Sequence, residues 1–361
     1  MSQSPEDGAS PRATPSWLHA VQTGLLPGTR VVVLGASGWI GLRLVRALLV
    51  HAKCQVECWV RKDGSAERLL GLPGSQGRVT VRCNGSLAEL SVPSDTLAVV
   101  HGASPTNHWD VSGSIDANVG VTWRLLDDLS NRPEPPRLIF LSTLLIRGDG
   151  EEPFLESDLD VGQSFLTPYA QAKFLGETAI RSTYARDVHT AILRLGSVLW
   201  PRSRKELPCR NWLCQSVQLW RRGCLQLIPL PEDHRFYPVA VDDLCAFIMH
   251  AIASDGVPRT LHLPAESGPT IGSVFATLAR ESGTPEPRFC ASDSDEWIDF
   301  IDSMPSSAMR RRLAAMFPVP PKGARLSGVS SELSRTWIAG SGLDPHPLTG
   351  AYWMHLLTMP D

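Results

Sequence analysis

The feature that most constrains this fold is a glycine-spaced turn directly after an apolar segment. Residues 31–34 read Val-Val-Val-Leu, followed by Gly35, Gly38 and Gly41, and residues 42–50 are mostly apolar. This order predicts a buried parallel strand, a tight turn and a helix. The glycines allow the turn, the close approach of a ligand and the packing of helix on strand. The unpaired N–H groups at the helix start suit a pyrophosphate; the alternative is a glycine-rich loop without a ligand.

Composition limits the kind of protein that this chain can be. Its 361 residues suffice for one large or two small domains, and 43% hydrophobic and 20% charged residues are typical of globular proteins. A net charge of −3 provides no basic field for nucleic acid. The sequence has no apolar run of the roughly 20 residues that a membrane span needs. Residues 1–28 predict a disordered tail and lead-in without a secretory signal, so we expect a cytoplasmic protein.

The cysteines and histidines predict no metal site. The eight cysteines form no CxxC pair, and most lie in apolar segments, which indicates buried thiols in a reducing compartment. Cys209, Cys214 and Cys224 come close in sequence, but their spacing matches no usual zinc site.

Strand-like and helix-like segments alternate along most of the chain, which predicts an α/β fold with a doubly wound parallel sheet. After the first strand, further strands are predicted at 55–60, 78–83, 96–101, 137–142 and 190–195. We expect a dinucleotide-binding domain over residues 29–200, to which residues 238–265 return. Residues 201–237 and 266–361 are expected to form a smaller, mostly helical substrate-binding region.

Two cations, Arg61 and Lys62, end the second predicted strand. In a dinucleotide-binding sheet the adenosine ribose lies at this strand end, where an acid bonds the 2′-hydroxyl and a cation suits a 2′-phosphate. The pair therefore favours NADP(H) over NAD, and a solvated basic turn is the alternative.

Tyr169 and Lys173 stand four residues apart in a segment with helical periodicity over residues 167–186. Residues i and i+4 share a helix face, so the phenol and the ammonium can point into one cleft. A nearby ammonium lowers the pKa of a phenol, which helps it to exchange a proton near neutral pH. A surface helix pair is the alternative for so short a pattern.

Together these segments resemble the extended short-chain dehydrogenase/reductase superfamily, which implies a Rossmann fold over about residues 30–252. The motifs that carry the resemblance are Gly35 to Gly41, His101 to Ser104, Asn118 to Thr122, Leu141 to Thr143, Pro168 to Glu177, Arg194 to Val198 and Phe236 to Asp243. They occur in the order that the superfamily has.

The resemblance implies a role for each matched position. Tyr169 is expected to be the general acid, Lys173 to hold the ribose hydroxyls and tune Tyr169, and Thr143 to bond the substrate carbonyl. Ala172 replaces the usual small hydroxyl residue, and Ser86 replaces the usual acid beside the adenine. The residues expected to contact the cofactor are Gly35, Ser37, Gly38, Trp39, Ile40, Arg61, Lys62, Ser86, Leu87, His101, Gly102, Ala103, Asn118, Ser142, Tyr169, Lys173, Gly196 and Val198.

Within the superfamily the chain is most similar to the thioester-reductase-like branch and the NAD-dependent epimerase/dehydratase group. Cys58 to Arg61 and Gly342 to Pro345 carry the likeness to the thioester-reductase-like branch. This branch serves peptide synthetases and carboxylic acid reductases, so the resemblance implies an NADPH-dependent reductase in secondary metabolism. Its substrate would be a ketone, an aldehyde or a thioester, either free or bound to a carrier or CoA.

Two other functions stay open at this point. One is a nucleotide-sugar epimerase or dehydratase with tightly bound NAD(P), in which Arg235 would serve a phosphate. The other is a binding module that holds NADP without turnover. The basic loop over residues 200–208 is a lid candidate because it is long and follows the segment expected to cover the nicotinamide. Four tryptophans flank the expected cleft: Trp109, Trp200, Trp212 and Trp220. They are either core or lid residues, or they line a pocket for a flat or acyl substrate.

Overall fold

A seven-stranded parallel sheet forms the centre of the computed structural model, in the order β10-β6-β5-β4-β1-β2-β3. The strands are β1 (Arg30–Leu34), β2 (Gln55–Val60), β3 (Val79–Cys83), β4 (Thr96–His101), β5 (Arg137–Thr143), β6 (Thr190–Leu195), β7 (Ser197–Leu199), β8 (Leu227–Ile228), β9 (Pro238–Ala240), β10 (Thr260–Leu263) and β11 (Arg288–Phe289). The predicted doubly wound sheet is confirmed. The strand order reverses between β1 and β4, where such sheets bind ligands.

The structure describes residues 16–61, 65–83, 90–105, 107–150, 153–183, 188–202, 212–264, 268–317, 329–343, 348 and 350–358. Its helices are α1 (Ser16–Gly24), α2 (Trp39–His51), α3 (Ala66–Leu70), α4 (Val111–Ile115), α5 (Val121–Ser130), α6 (Pro168–Ser182), α7 (Trp212–Arg221), α8 (Val241–Ala253), α9 (Ile271–Ser282), α10 (Asp295–Asp302), α11 (Ser307–Met316), α12 (Glu332–Ser341) and α13 (Gly350–Trp353). None of the helices in these ranges is both long and apolar enough to cross a membrane.

Both faces of the sheet are buried, which explains why β1 reads as a continuous apolar run. Val31 and Val33 point to one face, where they pack with residues of α1, α2 and α8. Val32 and Leu34 point to the other face, where they pack with residues of α5 and α6. Alternate residues of one strand therefore join two separate apolar cores.

A third apolar core lies apart from the sheet and joins α7, α9, α10, α11 and α13. Aromatic rings make up much of it; Trp220, for example, meets Phe275 edge to face at 5.4 Å between ring centroids. The division of the chain into a dinucleotide-binding domain and a substrate-binding region stays a prediction.

The end strand β10 is held by a segment close to the end of the described chain. The backbone N–H of His262 donates to Ser334 Oγ at 2.8 Å, and His262 Nδ1 lies 2.8 Å from the Ser330 carbonyl oxygen. The buried carboxylate of Glu156 accepts the N–H groups of Leu333 and Ser334 at the start of α12. The sheet edge beside β6 is therefore covered by distant parts of the chain.

Candidate active site

The glycine turn between β1 and α2 forms a cradle of bare backbone. Gly35 has φ +79°, and a Cβ atom there would lie 2.9 Å from backbone atoms of Ala103. A Cβ atom at Gly41 would lie 2.3 Å from the Gly35 carbonyl oxygen. Gly38 caps α2 without a side-chain hydrogen bond, so the first N–H groups of the helix, including those of Trp39 and Ile40, have no side-chain cap. These residues fit the pyrophosphate of a dinucleotide.

Arg61 is exposed directly after β2, and a second arginine contacts the glycine turn. Arg68 of α3 donates through Nη2 to the Ser37 carbonyl oxygen in the glycine turn at 2.5 Å. The sequence analysis missed Arg68; its position in the short helix after β2 was the available signal. The predicted contacts Lys62, Ser86 and Leu87 lie outside the described residues.

The end of β4 packs directly against the glycine turn. The Gly102 N–H donates to the Leu34 carbonyl oxygen at 3.1 Å. His101 is fully buried and meets the Phe140 ring edge to face at 5.3 Å. Burial, aided by the positive charge of Lys173, lowers the pKa of His101 to about 3, so its imidazole is neutral.

Asn118 joins the segment after β4 to the helices beside it. It is buried in a π-helical turn, Asp116–Gly120, between α4 and α5. Its Nδ2 donates to Ser104 Oγ at 3.1 Å and to the Ser114 carbonyl oxygen at 2.9 Å. A Cβ atom at Gly176 of α6 would lie 2.5 Å from the Asn118 carbonyl oxygen, so only glycine allows this approach.

Thr143 and Tyr169 meet at one end of the sheet. Thr143 is the last residue of β5, and Tyr169 lies in the first turn of α6, which Thr167 caps by accepting the Ala170 N–H. Burial raises the pKa of Tyr169 to about 12, and a hydrogen bond with the Thr143 side chain works in the opposite direction. The phenol therefore stays protonated at neutral pH.

Lys173 is buried one turn further along α6, with only 2% of its surface exposed. Its Nζ donates to the Leu141 carbonyl oxygen at 2.5 Å and lies 4.6 Å from the centroid of the Phe140 ring. Burial lowers the pKa of Lys173 to about 7, although the negative charge of Glu177 raises it. The expected lowering of the Tyr169 pKa by Lys173 is wrong for this structure, because desolvation of the phenol dominates.

A buried polar network lies behind these residues. Ser142 Oγ donates to Glu177 Oε1 at 2.5 Å, and Arg194 Nη2 donates to Glu177 Oε2 at 2.9 Å. Glu177 and Arg194 have no exposed side-chain surface. Arg194 Nη1 lies 3.1 Å from Nε2 of His262; because arginine only donates, this nitrogen accepts and the proton is on Nδ1. The hydroxyl proton of Ser142, a predicted cofactor contact, is thus donated to Glu177.

A cavity of about 660 Å³ opens beside Thr143 and Tyr169, and Gly196 and Val198 also line it. Its other walls are mainly apolar and aromatic, with contributions from Leu144, Trp109, Trp212, Phe236, Met316 and Phe317. Three arginines also line it: Arg147, Arg235 and Arg312. No carboxylate belongs to the described lining. The cavity brings the predicted catalytic pair and the predicted nicotinamide-covering segment together.

Two of the four tryptophans do not line the cavity. Trp109 and Trp212 do so, as expected, whereas Trp200 and Trp220 are buried in the third apolar core. Of the predicted lid loop, only the part up to residue 202 is described. There Arg202 donates to both carboxylate oxygens of Asp243, which ties the start of the loop to α8.

The arrangement offers two hydroxyls for a substrate oxygen and a glycine cradle for a dinucleotide. Among the described side chains, no group of three His, Cys, Asp or Glu residues is placed to hold a metal ion. The predicted site residues on β1, β4, β5 and α6 gather at one end of the sheet, so they can act on a single bound cofactor and substrate.

A model of the NAD dependent epimerase/dehydratase family matches residues 31–261. Nonribosomal peptide synthetase 5 from Gibberella zeae is 28% identical over an alignment of 195 residues, and the match covers 47% of this chain and 2% of that protein. The terminal R domain from the myxalamid PKS-NRPS biosynthetic pathway shares the fold, with a TM-score of 0.76 and 19% identity over 93% of this chain and 91% of that one. A thiolation-reductase di-domain from an archaeal non-ribosomal peptide synthetase has a TM-score of 0.74 and 14% identity, over 95% and 79% of the two chains.

Proposed function

This chain belongs to the NAD dependent epimerase/dehydratase family and is an NAD(P)-dependent oxidoreductase, and we propose that it uses NADPH to reduce the carbonyl group of a small molecule. The observation that carries the proposal is the meeting of the Thr143 and Tyr169 side chains at the wall of a largely apolar cavity. Such a pair of hydroxyls can bind one carbonyl oxygen from two directions.

The residues around the glycine turn support NADPH as the cofactor. The bare backbone from Gly35 to Gly41 would hold the pyrophosphate. Arg61 follows β2 and Arg68 lies in α3, and the end of β2 is where this kind of fold binds the adenosine ribose. Their two guanidinium groups would suit a 2′-phosphate. When bound, the nicotinamide supplies a hydride. Gly196 and Val198 line the same cavity as Tyr169, and there they would keep the nicotinamide next to the substrate.

Three side chains of this protein would serve the reaction. Thr143 donates a hydrogen bond to the substrate oxygen, and Tyr169 transfers its phenolic proton to that oxygen as negative charge develops. The raised pKa of Tyr169 keeps this proton in place until an alkoxide, a stronger base than a phenolate, forms. Lys173, with a pKa near neutral, provides positive charge beneath the site and would bind the ribose hydroxyls.

Among ketones, aldehydes and thioesters, a thioester on a carrier or on CoA is the substrate class best supported. Hydride addition to a thioester and protonation of its oxygen would give a hemithioacetal, whose C–S bond then breaks to release an aldehyde and the free thiol of the carrier or of CoA. The chain is similar to part of a nonribosomal peptide synthetase and shares its fold with an R domain and a thiolation-reductase di-domain. The cavity walls are mainly apolar and aromatic, as an acyl or aryl chain requires. In a cell we expect the protein in the cytoplasm, acting in secondary metabolism.

The second candidate function is that of a nucleotide-sugar epimerase or dehydratase. Arg235 favours it, because its side chain lines the cavity and would bind a phosphate. An epimerase recycles its bound cofactor, whereas a reductase consumes NADPH stoichiometrically with its product. Measuring NADPH loss against product formation therefore separates the two functions.

The decisive experiment measures NADPH oxidation with a panel of ketones, aldehydes, acyl-CoA and carrier-bound thioesters. Tyr169→Phe should bind NADPH as the wild type does and should lose about 10²- to 10⁴-fold in kcat. Thr143→Ala is the matched variant that removes the other hydroxyl. Full activity of Tyr169→Phe would remove the phenol from the mechanism. Tight NADPH binding by the wild type without reduction of any substrate would support a binding module instead.

A further inference from the structure

The imidazole of His108 lies flat against the phenol ring of Tyr169. The ring centroids are 4.4 Å apart and the planes differ by 8°. The Tyr169 N–H also donates to the His108 carbonyl oxygen at 3.2 Å. We propose that His108 is a positioning residue for the reaction, whose ring holds the Tyr169 phenol with its hydroxyl beside Thr143. This inference rests on the proposed function, in which the Tyr169 phenol is the proton donor.

Tyr169 needs such a support because of its place in the fold. It lies in the first turn of α6 and lines the 660 Å³ cavity, so part of its surface faces that space although its phenol is desolvated enough to raise its pKa. A tyrosine ring on the wall of an open cavity can rotate away from a productive orientation, and a displacement of about 1 Å can cost ~100-fold in rate. Among the aromatic rings of the described chain, only His108 makes a ring contact with Tyr169.

The loop that carries His108 is exposed, and hydrogen bonds join it to the helices on both sides. Asn107 Oδ1 accepts the Trp109 N–H at 3.1 Å, and the Asn107 carbonyl oxygen accepts the Asp110 N–H at 3.1 Å. Asp110 Oδ1 in turn caps α4 by accepting the Gly113 N–H at 2.9 Å. The imidazole is therefore presented from a loop that is bonded to α4 on one side and to α6 on the other.

The stacked geometry assigns the His108 ring a packing role toward Tyr169. The N–H and lone-pair directions of an imidazole lie in the plane of its ring. Because the two rings are nearly parallel, the His108 nitrogens cannot point across the stack at the phenol oxygen. A flat ring of any chemistry at position 108 should hold the phenol, and a small aliphatic side chain should not.

Kinetic measurements on two variants of His108 test this proposal. His108→Ala should lower kcat about 10- to 100-fold while KM stays within about threefold, because the phenol becomes disordered and the walls of the cavity remain. His108→Phe should keep kcat within about threefold of the wild type and leave its pH profile unchanged. His189→Ala, which alters an exposed histidine at the start of β6, is the matched control.

A measurement without substrate separates this inference from the proposed function. The chain has four tyrosines, so fluorotyrosine labelling gives four ¹⁹F resonances, and Tyr169→Phe identifies the one of interest. His108→Ala should shift that resonance because the ring current of the imidazole is lost. In His108→Phe the phenyl ring replaces this ring current, so the resonance should stay closer to its wild-type position. Preserved NADPH binding in each variant shows that the variant folds.

Two results would overturn the inference: an unchanged kcat in His108→Ala, or a loss in His108→Phe as large as in His108→Ala. The second result would mean that imidazole chemistry is needed. If the wild type reduces no carbonyl while the ¹⁹F shifts behave as expected, the ring contact is supported and the proposed function has failed.

Discussion

Replacing Arg194 by methionine should strongly destabilise the protein, because the guanidinium belongs to an ion pair with no exposed surface. Arg194 Nε donates to both carboxylate oxygens of Glu177, at 3.2 and 3.1 Å, and Nη2 donates to Oε2 at 2.9 Å. Ser142 Oγ is the other side-chain donor to this carboxylate in the described chain. Methionine replaces the aliphatic part of the arginine side chain and has no charge, so the change leaves a buried carboxylate with one side-chain donor.

The expected loss follows from the burial of the pair. Breaking a buried ion pair costs about 3–5 kcal/mol, since one charge is left without compensation. Arg194 also donates to the carbonyl oxygens of Leu155 and Asp158, which lose a donor in the variant. We expect the free energy of unfolding to fall by about 4 kcal/mol, a large share of the ~5–15 kcal/mol that stabilises a typical domain.

Urea unfolding followed by circular dichroism measures this loss, and two further variants make it interpretable. Arg288→Met breaks a pair with Glu296 in which the two side chains are 71% and 46% exposed, so it should cost less than ~1 kcal/mol. Arg194→Met combined with Glu177→Leu removes both buried charges and should recover at least about half of the loss. The reasoning is refuted if Arg194→Met costs no more than Arg288→Met, or if the double variant recovers none of the loss caused by Arg194→Met.

Three further predictions concern the cofactor and the pH dependence of the reaction. Gly41→Ala should weaken NADPH binding at least tenfold in a fluorescence titration, because the new Cβ atom would lie 2.3 Å from the Gly35 carbonyl oxygen. Unchanged affinity would contradict the proposal that the glycine turn holds the pyrophosphate. Arg61→Ala should weaken NADPH binding about tenfold and leave NADH binding unaltered, and an equal effect on both would refute a 2′-phosphate site. Glu177→Gln removes a negative charge that raises the pKa of Lys173, so this pKa should fall and the alkaline limb of kcat against pH should move to lower pH. A limb that stays in place would mean that Lys173 need not be charged.

The sheet and the dinucleotide turn were predictable because short-range patterns determine them. The run from Val31 to Leu34 is apolar without interruption because both faces of β1 are covered, and the bounds of β1, β2 and β4 follow the sequence patterns. The turn at Gly35 was equally readable, since backbone sterics there leave few choices of residue.

What escaped prediction depends on contacts between distant parts of the chain. His108 meets Tyr169 only because the loop after β4 folds against α6, and no periodicity encodes this stack. The predicted direction of the Tyr169 pKa shift was wrong. Desolvation, which a sequence does not reveal, raises this pKa and is its largest influence. Trp200 and Trp220 are core residues, and a count of aromatic residues near a cleft does not distinguish the core from the cavity wall.

The placement of β10 has a consequence for synthesis on the ribosome. The strands from β1 to β5 pair with one another, and all of them precede β6 and β10 in the chain. The edge of the sheet beside β6 stays uncovered until β10 has been synthesised. Ser330 and Ser334, the hydrogen-bond partners of His262 and Glu156, are synthesised later still. We expect the nascent chain to form the glycine turn and the strands around it well before β10 and its hydrogen-bond partners cover the sheet edge beside β6.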